Sequence, residues 1–404
     1  MKILYTSPII EYPAAGGPQL RIESSIKALS KVSELYVVSR SSKKDMGGSK
    51  AIDYYKSFVK SFSFAPSAYV LSSNRYINKL QRVIKSSLKS TIERDAKFLL
   101  SILEKFDIDI IWFGYGNISF DLIKHIKIIR PEIKVICDTD SVWSRFVLRK
   151  LPYETNKIRA NRIKSKGLKK EREEAEWVNL CDITTAVSEV DAKYYQSIAS
   201  DKSKVLLFSN AIDIQKYIEF IAEPQGIKKP NIYLAGSFGP KSAMDKAARW
   251  FIESVFPMIK KDIPSVHFYI IGRGSKETLK DIKDEKISIL GKVDTVLPYL
   301  SNANVSIVPL QFESGTRFKI MEAAACKIPI VSTTLGAEGI SVTNGHDILI
   351  ADSSEQFANA VISLLKNKEL SQRISDNCFE LINENNSIDS LVLEAEEIIN
   401  RLSK

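Results

Sequence analysis

The residues best suited to chemistry lie together in one stretch, Pro309-Leu310-Gln311-Phe312-Glu313-Ser314-Gly315-Thr316-Arg317-Phe318-Lys319-Ile320-Met321-Glu322-Ala323-Ala324-Ala325. Gly315, Lys319 and Glu322 fall at i, i+4 and i+7, on one side of a predicted helix. A helix start with a bare glycine is an anion site, because free N–H groups and the helix dipole point at it. A lysine one turn in adds a point charge for phosphate. A carboxylate two turns in can accept hydrogen bonds from both hydroxyls of a vicinal diol such as ribose. The spacing describes a nucleoside-diphosphate clamp; it equally describes a strand, loop and helix with charges facing water.

A second constellation is Cys137-Asp138-Thr139-Asp140-Ser141-Val142-Trp143. Two carboxylates just past a parallel strand sit where such folds place chemistry. Asp138 and Asp140 could do acid–base work or bind hydroxyls, and Asp140 or Ser141 could instead cap the following helix. Pro13-Ala14-Ala15-Gly16-Gly17-Pro18-Gln19-Leu20-Arg21 puts paired glycines before an amphipathic helix with Ile22, Ile26 and Leu29. Gly17 would let a backbone approach a ligand, and Arg21 would bind an anion from the first turn or be solvated. Glycine-bearing loops recur at Gly236-Ser237-Phe238-Gly239-Pro240-Lys241, Gly272-Arg273-Gly274 and Gly291-Lys292-Val293-Asp294. Loops at successive strand ends can line a base, and Lys241 could reach a phosphate.

The elements that must position these residues follow a simple rhythm. Candidate strands are Lys2–Thr6, Glu34–Ser39, Ile108–Phe113, Ile133–Cys137, Asp182–Val187 and Lys204–Phe208. A second set is Asn231–Ala235, Val266–Ile271, Lys286–Leu290, Asn304–Val308, Ile328–Ser332 and Asp347–Ile350. They are continuously apolar, as strands buried on both faces are, and helical patterns alternate with them. The expected fold class is α/β, as two doubly wound domains with ligands in a cleft beyond the strand ends. Expected boundaries are 1–212, 213–385 and a final helical segment 386–404.

Composition narrows the function classes. The chain of 404 residues is 44% hydrophobic and 26% charged, with a net charge of +10. No apolar run reaches a membrane span, and the N-terminus lacks a signal-peptide core. The four cysteines have no paired spacing, and the three histidines give no metal signature. The basic balance suits nucleic acid, an anionic membrane or an acidic substrate, but no zinc-ligand or aromatic-basic RNA motif is present, so nucleic acid is not an expected partner. Between Arg145 and Lys170 ten basic residues stand against Glu154 alone. That run suits a phosphorylated acceptor or an anionic lipid surface, or is a solvated helix. A second basic-amphipathic pattern, with Leu80, Val83, Ile84, Leu88 and Ile92, has the same two readings.

Gly315-Thr316-Arg317-Phe318-Lys319-Ile320-Met321-Glu322-Ala323, with Pro329-Ile330-Val331-Ser332-Thr333 and Gly336-Ala337-Glu338-Gly339, resembles the family-4 glycosyltransferases of the GT-B fold. The resemblance is to bacterial sugar transferases with a Gly-Thr-Arg-x-Lys-x-x-Glu-Ala signature. It covers about Asn231 to Leu365, and in the first half rests on Gly16-Gly17, Asp138–Ser141 and Val187-Ser188-Glu189. It implies a GT-B enzyme with two Rossmann-like domains facing a cleft, the first binding acceptor and the second binding a nucleotide sugar. It implies retaining transfer, and the basic surface points to a glycan or lipid-linked acceptor, in cell-surface polysaccharide synthesis. The donor is then a substrate, with no cofactor and no metal. The expected location is cytoplasmic, peripheral on the inner membrane face. By the resemblance Glu322 holds the donor ribose, Gly315 and Thr316 meet the diphosphate, Arg317 and Lys319 carry phosphate charge, and Gly17 approaches the donor. Gly236, Lys241, Arg273, Val293 and Ser314 complete the expected donor set. Asp138, Asp140 and Lys319 are the expected catalytic residues, and Arg21 and Arg145 the expected acceptor contacts. Three positions depart from the family: Ser314 replaces a sugar-binding glutamate, Ser237 replaces an arginine, and Asp138-Thr139-Asp140 stands where relatives keep a histidine. Those departures keep two rivals in view, a nucleotide-sugar epimerase and a non-catalytic binding protein on the same fold.

Overall fold

The computed structural model describes residues 1–14, 16–69, 85–219, 221–312 and 318–402. The chain forms two compact units. The first holds Met1–Leu148, Asn156–Ala211 and Ile388–Lys404. The second holds Arg149–Thr155 and Ile212–Ser387.

The first unit is built on β1 (Lys2–Ser7), β2 (Glu34–Ser39), β3 (Ser61–Phe64), β4 (Ile110–Gly114), β5 (Lys134–Asp138), β6 (Ile183–Ala186) and β7 (Val205–Leu207). Among the described residues these form a 7-stranded sheet in the order β3-β2-β1-β4-β5-β6-β7, with every pairing parallel. Successive side chains on a strand point to opposite faces, and here each face has its own core. Ile3, Tyr5, Leu35, Val37, Ile110 and Trp112 pack on one face, whereas Leu4, Tyr36, Val38, Ile111 and Phe113 pack on the other. Burial on both faces is why these strands read as continuous apolar runs. Ser61–Phe64 escaped the sequence reading because its serines alternate with its phenylalanines and it pairs only with β2, at the sheet edge.

Ile22, Ile26 and Leu29 of the Gly17–Val32 helix join the first of these cores. So do Leu391, Ala395, Ile398 and Ile399 of the last helix, Ile388–Leu402. Glu394 of that helix accepts from Ser209 N at 2.6 Å and Ser209 Oγ at 2.7 Å. The final helix is therefore part of the first unit although 176 residues of the second, Ile212–Ser387, precede it. The basic pattern around Leu80 lies largely outside the described residues; beyond it a helix runs from Lys85 to Phe106.

The second unit is built on β8 (Asn231–Ala235), β9 (His267–Ile271), β10 (Ile287–Gly291), β11 (Val305–Val308), β12 (Ile330–Ser332) and β13 (Leu349–Ile350). They form a 6-stranded parallel sheet in the order β10-β9-β8-β11-β12-β13. Phe251, Phe256, Phe268 and Phe357 pack ring against ring in its core, with centroids 4.8–6.1 Å apart. In both sheets the strand order reverses direction beside the first strand, between β1 and β4 and between β8 and β11. Chain leaving the two flanking strands diverges there and opens a crevice for a ligand.

Candidate functional site

In the second unit the crevice is bordered by the chain leaving β8 and β11. The helix Phe318–Ala325 begins beyond the β11 exit, and Lys319 and Glu322 lie on it, both partly buried. Tyr217, on the short helix Gln215–Ile218, donates its hydroxyl to Glu322 Oε1 at 3.2 Å. Burial pushes the Glu322 carboxyl up to about 7, against the opposing pull of the Tyr217 hydroxyl and the Lys319 charge. Burial and then the Glu322 charge likewise raise the phenol of Tyr233 on β8. Hydroxyl donors favour the ionised form of a carboxyl buried in this way on the helix that follows β11.

The exits of β8 and β9 are zipped together through backbone. Gly236 N donates to Ile271 O at 3.0 Å, and Phe238 N donates to Arg273 O at 2.8 Å. Gly272, at φ +136, lies so close that an added Cβ would meet Gly236 O at 1.8 Å. Gly274, at φ +79, would meet Phe238 O at 2.4 Å. These glycines therefore serve the approach of one loop to the other. Arg273 and Lys241 project from the pair as exposed side chains, and Lys241 N donates to Asp245 Oδ2 at 2.7 Å. Val293 follows β10, the edge strand, two places from β8. The exits of β11 and β12 are joined by Thr333, whose hydroxyl donates to Leu310 O at 2.5 Å and accepts from Gly336 N at 2.9 Å.

In the first unit the crevice lies between the exits of β1 and β4. Gly16, at φ +124, precedes the Gly17–Val32 helix, so Gly17 stands at a helix N-terminus. After β4 comes Tyr115-Gly116-Asn117; a Cβ on Gly116 would meet Cys137 Sγ at 2.6 Å, so only glycine lets this turn pass β5. Asn117 and Trp143 hold Asp140, the indole N–H donating to Oδ1 at 2.9 Å. Asp140 is partly exposed, and burial raises its carboxyl above the ordinary value against the bonds from Asn117, Tyr115 and Trp143.

Asp138 and Arg21 occupy a different environment. Asp138 is 0% exposed and Arg21 only 2%. Arg21 Nη2 donates to Asp138 Oδ1, and also to Phe208 O at 2.9 Å. Arg21 Nη1 donates to Asn210 Oδ1 at 2.9 Å and to Ser209 O at 3.2 Å. Thr185 Oγ1 donates to Asp138 Oδ1 at 2.8 Å. Arg21, expected on an acceptor, and Asp138, expected in catalysis, form a buried internal tie that fastens the first helix and β5 to the segment 208–210. Arg145 is partly exposed, with its guanidinium 4.8 Å from the Tyr194 ring centroid. The Trp143–Leu148 helix has a carboxylate partner at its first turn that is neither Asp140 nor Ser141. Glu174, buried on Lys157–Leu180, accepts from Ser144 N at 2.9 Å and Ser144 Oγ at 2.5 Å.

Residues 229–367 match the family described as Glycosyl transferases group 1. That stretch contains the sheet, the zipped loops and Glu322. By that match the second unit is similar to a group 1 glycosyltransferase domain. A 44.6 kDa protein in the cps region of Klebsiella pneumoniae is 27% identical over 146 residues, 34% of this chain. The match spans 37% of that protein's length, a little over a third. Anabaena HepE, solved in complex with UDP and glucose, is similar over 99% of this chain and 100% of its own, with TM-score 0.64 and 12% identity. Sucrose-phosphate synthase from Thermosynechococcus elongatus is similar over 99% of this chain and 98% of its own, with TM-score 0.72 and 14% identity. Both likenesses extend through the first unit and establish the GT-B fold for the whole chain.

Of the residues singled out in the sequence, the second unit brings Lys319 and Glu322 onto one helix face and Gly236 and Arg273 into one pair of loops. Ser314, Gly315, Thr316 and Arg317 lie outside the described residues. Tyr217, Asn117 and Trp143 went unnoticed in the sequence as partners of these carboxylates. Tyr217 is 105 residues from Glu322 and stands in a stretch that reads only as a boundary. Trp143 had a signal, since it follows Asp140 by one helical turn.

Proposed function

We propose that this protein is a retaining glycosyltransferase that moves a sugar from a nucleoside-diphosphate sugar to a glycan or lipid-linked acceptor in cell-surface polysaccharide synthesis. The observation that carries the reading is Glu322, a carboxyl raised to about 7 on the helix that follows β11, with Lys319 one turn before it. In this reading Glu322 takes both ribose hydroxyls of the donor. Lys319, with Arg317 and the backbone of Gly315 and Thr316, neutralises the diphosphate as it departs. Such preorganised charge is worth most in the transition state, where the leaving group's charge grows. Gly236, Arg273, Val293 and Ser314 contact the base and sugar, Lys241 approaches the phosphates, and no metal is needed. Asp140, held by Asn117 and Trp143, faces the acceptor chemistry, with Arg145 as an acceptor contact. The UDP-bound Anabaena structure and the cps-region relative support this choice of donor class and pathway.

No described helix is long and apolar enough to cross a membrane. The Lys157–Leu180 helix exposes Lys157, Arg159, Arg162, Lys164, Lys166 and Lys169. We infer that this face meets an anionic membrane from the cytoplasmic side, as suits a lipid-linked acceptor. The deciding experiment incubates the protein with UDP-, GDP- and ADP-sugars, with and without lipid-linked glycan acceptors, and follows released nucleotide and sugar product. Acceptor-dependent release with the anomeric configuration kept supports the proposal. An epimerised sugar without acceptor, or binding with no turnover, would sink it in favour of one of the two rivals.

A further inference from the structure

Residues Arg149–Thr155 belong to the second unit although the chain on either side of them belongs to the first unit. This short strap grips the second unit at two points. Arg149 makes a two-pronged bond with Glu338, Nη1 to Oε2 at 2.6 Å and Nη2 to Oε1 at 2.7 Å. Planar fork-to-carboxylate pairs of this kind fix orientation as well as supplying attraction. Tyr153 donates its hydroxyl to Gln311 O at 3.1 Å, and its ring lies 5.2 Å from the Phe312 ring. Lys246 completes the cluster, its ammonium 4.8 Å from the Tyr153 centroid and 5.1 Å from the Phe312 centroid.

The two grips fall on functionally placed chain. Gln311 and Phe312 are the last residues before Glu313-Ser314-Gly315-Thr316-Arg317. Glu338 ends the turn Thr334–Ala337 that follows β12. Thr333 already ties that turn to Leu310. The strap thus spans both exits, with Arg149 on the β12 side and Tyr153 on the β11 side.

We propose that Arg149 and Tyr153 are positioning residues for the nucleotide-sugar site, holding the Pro309–Phe312 peptide that leads toward the helix bearing Lys319 and Glu322. Neither residue touches the donor; each acts through the loop it holds. The inference rests on the proposed donor site for its consequence, while the mechanical claim stands apart from it.

Two measurements on the full chain test it. Hydrogen exchange of peptides covering 305–325 and 332–340, without nucleotide, reads the grip directly. Tyr153→Ala and Arg149→Ala are expected to speed exchange at 309–312 and 333–338 and to leave the β1–β5 peptides unchanged. Unchanged exchange at 309–312 in Tyr153→Ala overturns the proposal whether or not a nucleotide binds. Binding of UDP-, GDP- and ADP-sugars then reads the consequence. A ring pair and its cation are together worth a factor of about ten, so Tyr153→Ala should weaken donor binding about tenfold. Tyr153→Phe, which keeps the ring contacts, should recover most of it. The exchanged pair Arg149→Glu with Glu338→Arg should bind donor better than either single change. Faster exchange with undiminished affinity in Tyr153→Ala overturns the positioning role. A wild-type chain that binds none of the donors refutes the proposed function, and the exchange data still decide the grip.

Discussion

Glu322 offers the sharpest quantitative test. Its carboxyl sits at about 7 in the folded chain, against an ordinary value of 4.5, because burial outweighs the Tyr217 hydroxyl and the Lys319 charge. The ionised carboxylate accepts from both ribose hydroxyls more strongly than the protonated form, whose O–H competes as a donor, so binding favours loss of the proton. If the bound value returns near 4.5, linkage makes donor binding at about pH 5.5 roughly thirtyfold weaker than above about pH 8, or about 2 kcal/mol. Affinity therefore rises with pH through the folded value and then levels. Glu322→Gln removes the titration and the charge-assisted bonds, so affinity should fall roughly 10- to 100-fold at high pH and lose its slope. The assay is calorimetric titration with an intact nucleotide sugar, since a free terminal phosphate has its own ionisation near about 6. The sign for stability is opposite. The folded state keeps a proton that the unfolded chain releases between 4.5 and about 7. The ligand-free protein therefore loses stability as pH rises through that window, on the order of 3 kcal/mol in total. Glu322→Gln should be more stable than wild type at neutral pH. A flat affinity profile in the wild type, or a sloped one retained in Glu322→Gln, would refute the ribose assignment.

Two further outcomes follow from packing. Arg21→Ala leaves Asp138 buried with, among the described residues, only Thr185 as a side-chain donor and frees the carbonyls of Phe208 and Ser209. It should cost about 3–5 kcal/mol in urea unfolding, whereas a fully stable variant with weakened acceptor binding would restore the acceptor role. Gly272→Ala forces a Cβ toward Gly236 O at a φ that side chains rarely adopt. It should destabilise the second unit by several kcal/mol, on the order of 3, while Gly239→Ala, which meets nothing within 4 Å, should stay within about 0.5 kcal/mol by thermal denaturation.

Much of the fold was readable because the physics is local and periodic. Runs such as Ile110-Ile111-Trp112-Phe113 are apolar at every position, which only a strand with core on both faces requires. The helix bearing Ile22, Ile26 and Leu29 announced its buried stripe in the same way. Ser61–Phe64 was unreadable because an edge strand has one partner and tolerates polar residues on one side. Lys319 and Glu322 were legible as neighbours because helical spacing puts them on one face. That Glu322 would meet Tyr217, and be pushed toward neutrality, depends on burial that no local window contains.

The sequence by itself determined the alternation of strands and helices, the shared helix face of Lys319 and Glu322, and the two carboxylates at the end of β5. These depend on residue type and short spacing. Only the tertiary structure decided that those two carboxylates differ. Asp138 points into the sheet end and meets Arg21, 117 residues away, whereas Asp140 is held part-exposed by Asn117 and Trp143. It alone decided that the glycines of two loops serve each other, and that Arg149 and Tyr153 fold onto chain more than 150 residues later. Each of these is a contact between segments brought together by core packing, and the energy that selects it appears only once the core has formed.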